Sequence, residues 1–226
     1  MAYICICKVQ ITKRTTIMNT KIILKRPVHV SHEARLEQEA VIRLLTFERY
    51  CRDNALWDAM RSCYLEDAVV NSSWFRGPAN DYIAQLATRK ERAPHHIHST
   101  LVWTHGNRAV AMMETTLQQR SEIDGFPVDL AADAQMLYKL IRINGEWYIQ
   151  DWTTIYEQDN IIPAVPTTQL NIDPKALEEF RPCCSSLAYL KKRQGKVLYD
   201  ELPGHDRPES LVAIYEEADR WIQGKA

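Results

Sequence analysis

Three histidines within four positions, His95, His96 and His98, form the densest group of chemistry-bearing side chains in the sequence. On an extended chain successive side chains point to opposite faces, so His96 and His98 would share one face and His95, Ile97 and Ser99 the other. Two imidazoles on one face, joined by a carboxylate such as Glu114 from a neighbouring strand, would suit a divalent metal. No acid follows within the strand and no second histidine cluster exists, so no metal is expected there. A single imidazole facing an enclosed pocket offers different chemistry. With its second nitrogen held by a carboxylate, a neutral histidine is a general base.

Asp53 is the best acid available. An aspartate between two helical segments is equally a natural cap, and a separation of 42 positions from His95 establishes no contact. Tyr50, one helical turn before Asp53, and Tyr64, placed at the end of a second helix, could each offer a phenol to a carbonyl or a departing hydroxyl. Phe47, Trp57, Trp74, Met112 and Trp152 would supply apolar walls. A cavity of that kind suits a small hydrophobic molecule with a cyclic frame.

The elements that must position these residues follow from patterning. Ser31 is a plausible N-cap, Glu33 sits in the first turn, and apolar residues recur at Leu36, Ala40, Val41, Leu44, Phe47 and Cys51, giving one amphipathic helix that stops at Arg52-Asp53-Asn54. A second helix carries Leu56, Trp57, Met60, Cys63 and Tyr64. A short strand at Ala68-Val69-Val70 precedes a third helix opened by Pro78 and running through Ile83 and Leu86. From His96 the pattern turns extended. Segments Ile97 to Thr104, Arg108 to Arg120, Val128 to Ile143 and Trp147 to Tyr156 are divided by Gly106-Asn107, Asp124-Gly125 and Asn144-Gly145. Four strands joined by tight turns make an antiparallel meander, and the preceding helices make the domain α+β, with a curved sheet wrapped over helices around a conical pocket.

Residues 1 to 30 are expected to form an N-terminal arm, with a loose or edge-strand segment at Lys21 to Lys25. The domain proper spans 31 to 163, and Ile161 to Pro166 reads as an exit linker. A helical extension follows over 164 to 226. Asp173 and Pro174 open one helix. Asp206 to Glu209 resembles a capping box before a stripe of Leu211, Tyr215, Ala218 and Ile222. That stripe needs a surface, either the core or a neighbouring subunit, so a homo-oligomer is expected.

Composition narrows the partners. The 226 residues are 46% apolar and 25% charged, and 28 Lys plus Arg against 29 Asp plus Glu leave a net charge of -1. No nucleic-acid footprint is present in that balance. No apolar run approaches the roughly 18 residues that span a bilayer, so no membrane partner is expected and the default location is cytoplasmic. Six cysteines imply no disulfide framework, and the vicinal pair Cys183-Cys184 reads as packing.

The segments Ala40 to Leu45, Tyr50 to Asp53, Trp57-Asp58 and Tyr64 to Val70 resemble the opening of SnoaL-like domains in the nuclear transport factor 2-like superfamily. His95-His96 leading to Gly106-Asn107-Arg108-Ala109-Val110-Ala111, and Asn144-Gly145-Glu146-Trp147-Tyr148-Ile149, extend the resemblance over about residues 33 to 163. It implies a cystatin-like fold. In relatives similar to scytalone dehydratase and the dehydrochlorinases, a histidine opening this strand pairs with an aspartate ending the first helix, positions that look like His95 and Asp53. The resemblance therefore implies a cofactor-independent lyase or isomerase of the dehydratase type. The alternative it allows is a non-catalytic ligand-binding or assembly module. Two departures, Glu48 near the first-helix basic residue of dehydrochlorinases and Trp152 near their late arginine, speak against chloride elimination.

Overall fold

A computed structural model describes residues 19–26, 30–89, 92–196 and 198–225. Most of the expected N-terminal arm, with Cys5 and Cys7, lies outside the described residues. Helix α1 (His32–Asp53) begins where Ser31 Oγ accepts the Ala34 amide, and it is followed by the short α2 (Trp57–Arg61). Strand β1 (Tyr64–Ser72) and β2 (Phe75–Pro78) precede α3 (Ala79–Ala87), which starts directly after Pro78. The long strands β3 (His95–His105), β4 (Arg108–Ile123), β5 (Phe126–Ile143) and β6 (Glu146–Pro163) then form the expected meander. The sheet order is β2-β1-β6-β5-β4-β3, antiparallel except for the β1–β6 pair. The α+β class with a curved sheet is as read from the sequence, and the sheet is unclosed.

The turns explain the accuracy of the meander. Asp124-Gly125 and Asn144-Gly145 all have positive φ, at 52° and 84° and at 51° and 90°, the backbone that two-residue hairpins require. Alternation along the strands then sorts the side chains by face. Ala109, Ala111, Met113, Met136, Tyr138 and Leu140 pack beneath α1, α2 and α3. Val110, Met112, Leu137 and Ile155 face the other way, onto α6 (Pro208–Ile222).

Several boundaries differ from the sequence expectation. Tyr64 opens β1 instead of closing α2, because the helix ends at Arg61 in a turn where the Cys63 amide donates to Met60 O. The segment at Ile161 to Pro163 is not a linker: it pairs with Leu130 to Val128 as the end of β6, where a proline without an N–H costs no ladder bond. Lys21 to Ile23 are neither loose nor an edge strand, since their three amides donate to the Asp219 carboxylate at 2.8, 2.7 and 2.9 Å. Asp173 does cap α4 (Pro174–Glu178), accepting the Lys175 amide. The expected capping box before α6 is absent. Asp206 instead accepts both ends of the Arg181 guanidinium.

One helix was not anticipated. In α5 (Ser185–Arg193), Asp159 of β6 supplies the cap that the local sequence lacks, accepting the amides of Ser186 at 3.0 Å and Leu187 at 2.6 Å. Helix α5 packs against the ends of β4, β5 and β6 through Leu187 and Leu190. It thereby reaches the pocket. Among the described residues, no helix is long and apolar enough to cross a membrane.

Candidate active site

The end of α1 carries the polar part of the site. Glu48, Arg49, Arg52 and Asp53 are spaced three and four apart, so they share one helical face turned to the sheet. A carboxylate at a helix C-terminus meets the negative end of the dipole and needs donors from elsewhere. Asp53 obtains them from β3 and its own neighbour. His95 N donates to Oδ2 at 2.8 Å, His95 Nδ1 lies 3.1 Å from Oδ1, and Arg52 Nη1 donates to Oδ1 at 2.6 Å. Arg52 also donates to Ala93 O, and its Nη1 stands 3.3 Å from His95 Nδ1. Asp53 caps no helix, since Leu56 is the N-cap of α2 and no side chain caps that end.

Both side chains are close to 90% shielded, with 11% of each exposed. Burial works against ionisation of Asp53, but the hydrogen bonds from His95 and the charge of Arg52 outweigh it and hold the carboxyl well below its usual range. Burial, then the neighbouring Arg52, lowers the imidazole to about 3, so His95 is neutral at physiological pH. With an ionised carboxylate beside Nδ1, the proton belongs on that nitrogen. Nε2 is left as a lone pair, with no hydrogen-bond partner among the described residues. The ring lines an inner cavity of about 70 Å³.

Beneath the cavity lies a buried ionic floor that the sequence reading passed over. Arg49 Nη2 donates to Glu48 Oε1 at 2.6 Å, and the guanidinium lies 5.3 Å from the Trp152 ring centre. Tyr64 donates its hydroxyl to the same Glu48 oxygen at 2.6 Å and accepts Trp152 Nε1 at 3.0 Å. Glu48 and Trp152, seen in sequence only as departures from a dehydrochlorinase pattern, are thus two sides of one network around Arg49. Glu48 and Arg49, three and four positions after Leu45 on the buried stripe of an amphipathic helix, were the available signal.

The inner cavity opens past Arg52, Arg89, Ala93, Gln119 and Lys191 into an outer hollow of about 320 Å³, those five residues lining both. Trp74 stacks on Tyr82 at 5.2 Å, and Tyr82 meets Trp152 edge-on at 5.5 Å, making an aromatic wall. Helix α5 closes the opposite side with Leu187 and Lys191. The C-terminal segment completes the pocket of its own chain.

The structure brings only part of the expected set together. His95, Trp74 and Trp152 line the inner cavity, while Asp53 and Trp57 line the outer one. Tyr50 is 58% exposed and Phe47 47% exposed, because both lie on the outward face of α1 and neither lines either hollow. Met112 sits on the far face of the sheet, against Tyr215 of α6. Tyr64 has its hydroxyl committed to Glu48 and lines neither hollow. Tyr82 and Tyr156 are the phenols that face the cavity instead. The walls are also more polar than anticipated, with Arg49, Arg52, Arg89 and Lys191 among them. The expected partition of the histidine cluster changes as well. A bulge between Ile97 and Ser99 puts Ser99 opposite Glu114, its hydroxyl donating to that carboxylate at 2.6 Å, while His96 pairs with Gln118 and His98 with Thr116.

Comparisons with known proteins agree with this architecture. A SnoaL-like domain model matches residues 33–153. Pea pathogenicity protein 2 of Fusarium vanettenii is 30% identical over 191 residues, covering 77% of this chain and 80% of that protein. A PEP2-like protein of the same organism is 29% identical over 188 residues, with 77% and 80% covered. A crystal structure of a type 2 hexachlorocyclohexane dehydrochlorinase superposes with a TM-score of 0.51 at 13% identity, covering 63% of this chain and 100% of that one, which is a likeness of fold. With a matching family model over more than half its length and the relatives to accompany it, the chain belongs to the SnoaL-like domain family.

Proposed function

We propose that this protein is a cofactor-independent lyase or isomerase of the dehydratase type, acting on a cyclic carbonyl compound in the cytoplasm. His95 Nε2 removes a proton made acidic by the neighbouring carbonyl. Asp53 holds the Nδ1–H tautomer and stabilises the imidazolium that forms, a general-base arrangement. The developing enolate oxygen takes hydrogen bonds from donors on the cavity wall, for which Arg52, Tyr82 and Tyr156 are placed. The imidazolium then gives its proton either to a β-hydroxyl, which leaves as water as the double bond forms, or to a different carbon, and neutral His95 is restored. The supporting observation is the double contact of Asp53 with His95, ring and backbone, beside the two adjoining hollows.

The test is exchange of α-protons in deuterated water over a panel of cyclic ketones, followed by proton NMR. His95→Ala and Asp53→Asn should lower the exchange rate ~100- to 10,000-fold without weakening ligand binding. A parent protein that binds such ketones but exchanges none of them would favour a non-catalytic ligand-binding role for the same pocket.

A further inference from the structure

A third hollow, of about 380 Å³, adjoins the inner cavity across Ser73 and Tyr156, the two residues that line both. Phe180, Ala188, Leu198, Tyr199 and Leu202 make it mostly apolar. Apart from Ser73 and Tyr156, its walls come from residues 179 to 202, beyond the 33–153 span of the SnoaL-like match. They are fastened to the sheet and to one another. Tyr199 N donates to Ser73 O at 2.7 Å and Tyr156 N to Pro203 O at 3.2 Å, while Arg181 donates to Asp200 O and Leu202 O at 2.8 and 2.6 Å.

The charges on these walls already have partners. Lys192 lies 2.6 Å from Glu179, Arg181 donates to Asp206 at 3.0 and 2.6 Å, Asp200 accepts Arg207 at 2.9 Å, and Lys196 is engaged as well. An ion entering the hollow would lose its water without gaining a counter-charge, a costly exchange. Two hydroxyls, those of Ser73 and Tyr156, form the polar end. Ser73 is 3% exposed, and its Oγ closes no well-formed hydrogen bond among the described residues, although the Tyr156 phenol is its neighbour. A buried hydroxyl in that state lacks a partner that a ligand can supply.

We infer that this hollow is a second binding site, for a neutral apolar molecule carrying one hydroxyl or carbonyl, whose oxygen meets Ser73 while its hydrocarbon frame lies among Phe180, Ala188, Tyr199 and Leu202. The volume falls within the roughly 300–1,000 Å³ of small-molecule sites. The inference goes beyond the reaction at His95 and does not depend on it. Because Tyr156 lines both spaces, an occupant of the second site touches a wall of the inner cavity without entering it.

The experiment measures binding to the full chain by calorimetry, with 2-naphthol, naphthalene and 2-naphthoate as probes. The alcohol should bind, the hydrocarbon about 3- to 10-fold more weakly for want of the hydrogen bond, and the carboxylate at least about 10-fold more weakly than the alcohol. Ser73→Ala should shrink the difference between alcohol and hydrocarbon, and should melt no lower than the parent, since the hydroxyl it removes closes no well-formed bond. Tyr199→Ala, which takes away a wall, and Ala188→Leu, which fills the space, should each weaken both neutral probes, whereas His95→Gln in the inner cavity should change neither. The inference is overturned by absence of 2-naphthol binding up to millimolar concentration, by equal affinity for 2-naphthoate, or by an alcohol preference that Ser73→Ala leaves untouched. Binding that responds to His95→Gln but to neither Tyr199→Ala nor Ala188→Leu places the probe in the inner cavity and overturns it too.

Discussion

His95 and Asp53 sit 42 positions apart in the chain and 3.1 Å apart in the fold, and the pair fixes how stability should depend on pH. His95 titrates at about 3 in the folded protein, against roughly 6.5 in an unfolded chain. Between those values the unfolded chain binds the additional proton, so stability rises with pH across that window. Asp53, lowered from the ordinary carboxylate range, acts in the same direction at more acid pH. Asp151 opposes both: burial lifts it to about 6, so its contribution is full at low pH and fades as pH rises towards that value. The variant His95→Gln removes one influence and leaves Asp151 in place. Between pH 6.5 and 4.5 the melting temperature of the parent should therefore fall more steeply than that of His95→Gln, and parallel curves would contradict a buried neutral imidazole. A second expectation concerns the floor. Glu48→Ala leaves Arg49 buried without its counter-charge and should cost about 3–5 kcal/mol in urea unfolding, whereas the double change Glu48→Leu with Arg49→Met should cost much less. Residue types exposed His95 and Asp53 as candidates, yet spacing left capping and catalysis open for Asp53. Only the packing of β3 against α1 decides where its oxygens point.

Elements differ in how much of their definition is local. The hairpins after β4 and β5 were legible because two residues at positive φ suffice to set each turn. Helix α1 was legible because its cap, Ser31, and its apolar spacing lie within the segment itself. Helix α5 was not, since Cys184 at its N-cap makes no side-chain capping bond and the capping carboxylate comes from Asp159, far back in β6. The basic last turn at Lys191 to Arg193 and Gly195 at φ 69° were the local signs of its end. That dependence is testable. Asp159→Ala should weaken α5 by about 1 kcal/mol and speed amide exchange in residues 185–193, read by mass spectrometry, while amides at the His95 end of β3 stay protected. Because Leu187 and Lys191 close the cavity, the same variant should loosen binding of a pocket ligand with His95 and Asp53 intact. Unchanged exchange in α5 would mean that packing through Leu187 and Leu190 holds the helix without its cap.

At the scale of the molecule, the apolar stripe of α6 bears on assembly. From sequence it needs a surface and supports a homo-oligomer, with truncation after Pro166 expected to lower the assembly's mass. In the fold, Tyr215, Ala218 and Ile222 are buried against Val110, Met112, Leu137 and Ile155 of the same chain, together with Ile23. The stripe is thus satisfied internally and carries no argument for a subunit contact. Three backbone amides on Asp219 fasten residues 21 to 23 over the same helix. Sequence alone could not choose between core and neighbour, because an amphipathic helix presents the same stripe to either. Truncation after Pro166 would now remove α6 from one face of the sheet and α5 from the pocket end, exposing two apolar surfaces at once. Exposed surface of that kind promotes association instead of limiting it. The shortened chain should bind 8-anilinonaphthalene-1-sulfonate strongly and scatter light as large, polydisperse particles. A truncated chain that stays monodisperse, binds no more dye than the parent and keeps its near-ultraviolet circular dichroism would show that the sheet needs neither helix, and that their place is to serve the pocket and not the fold.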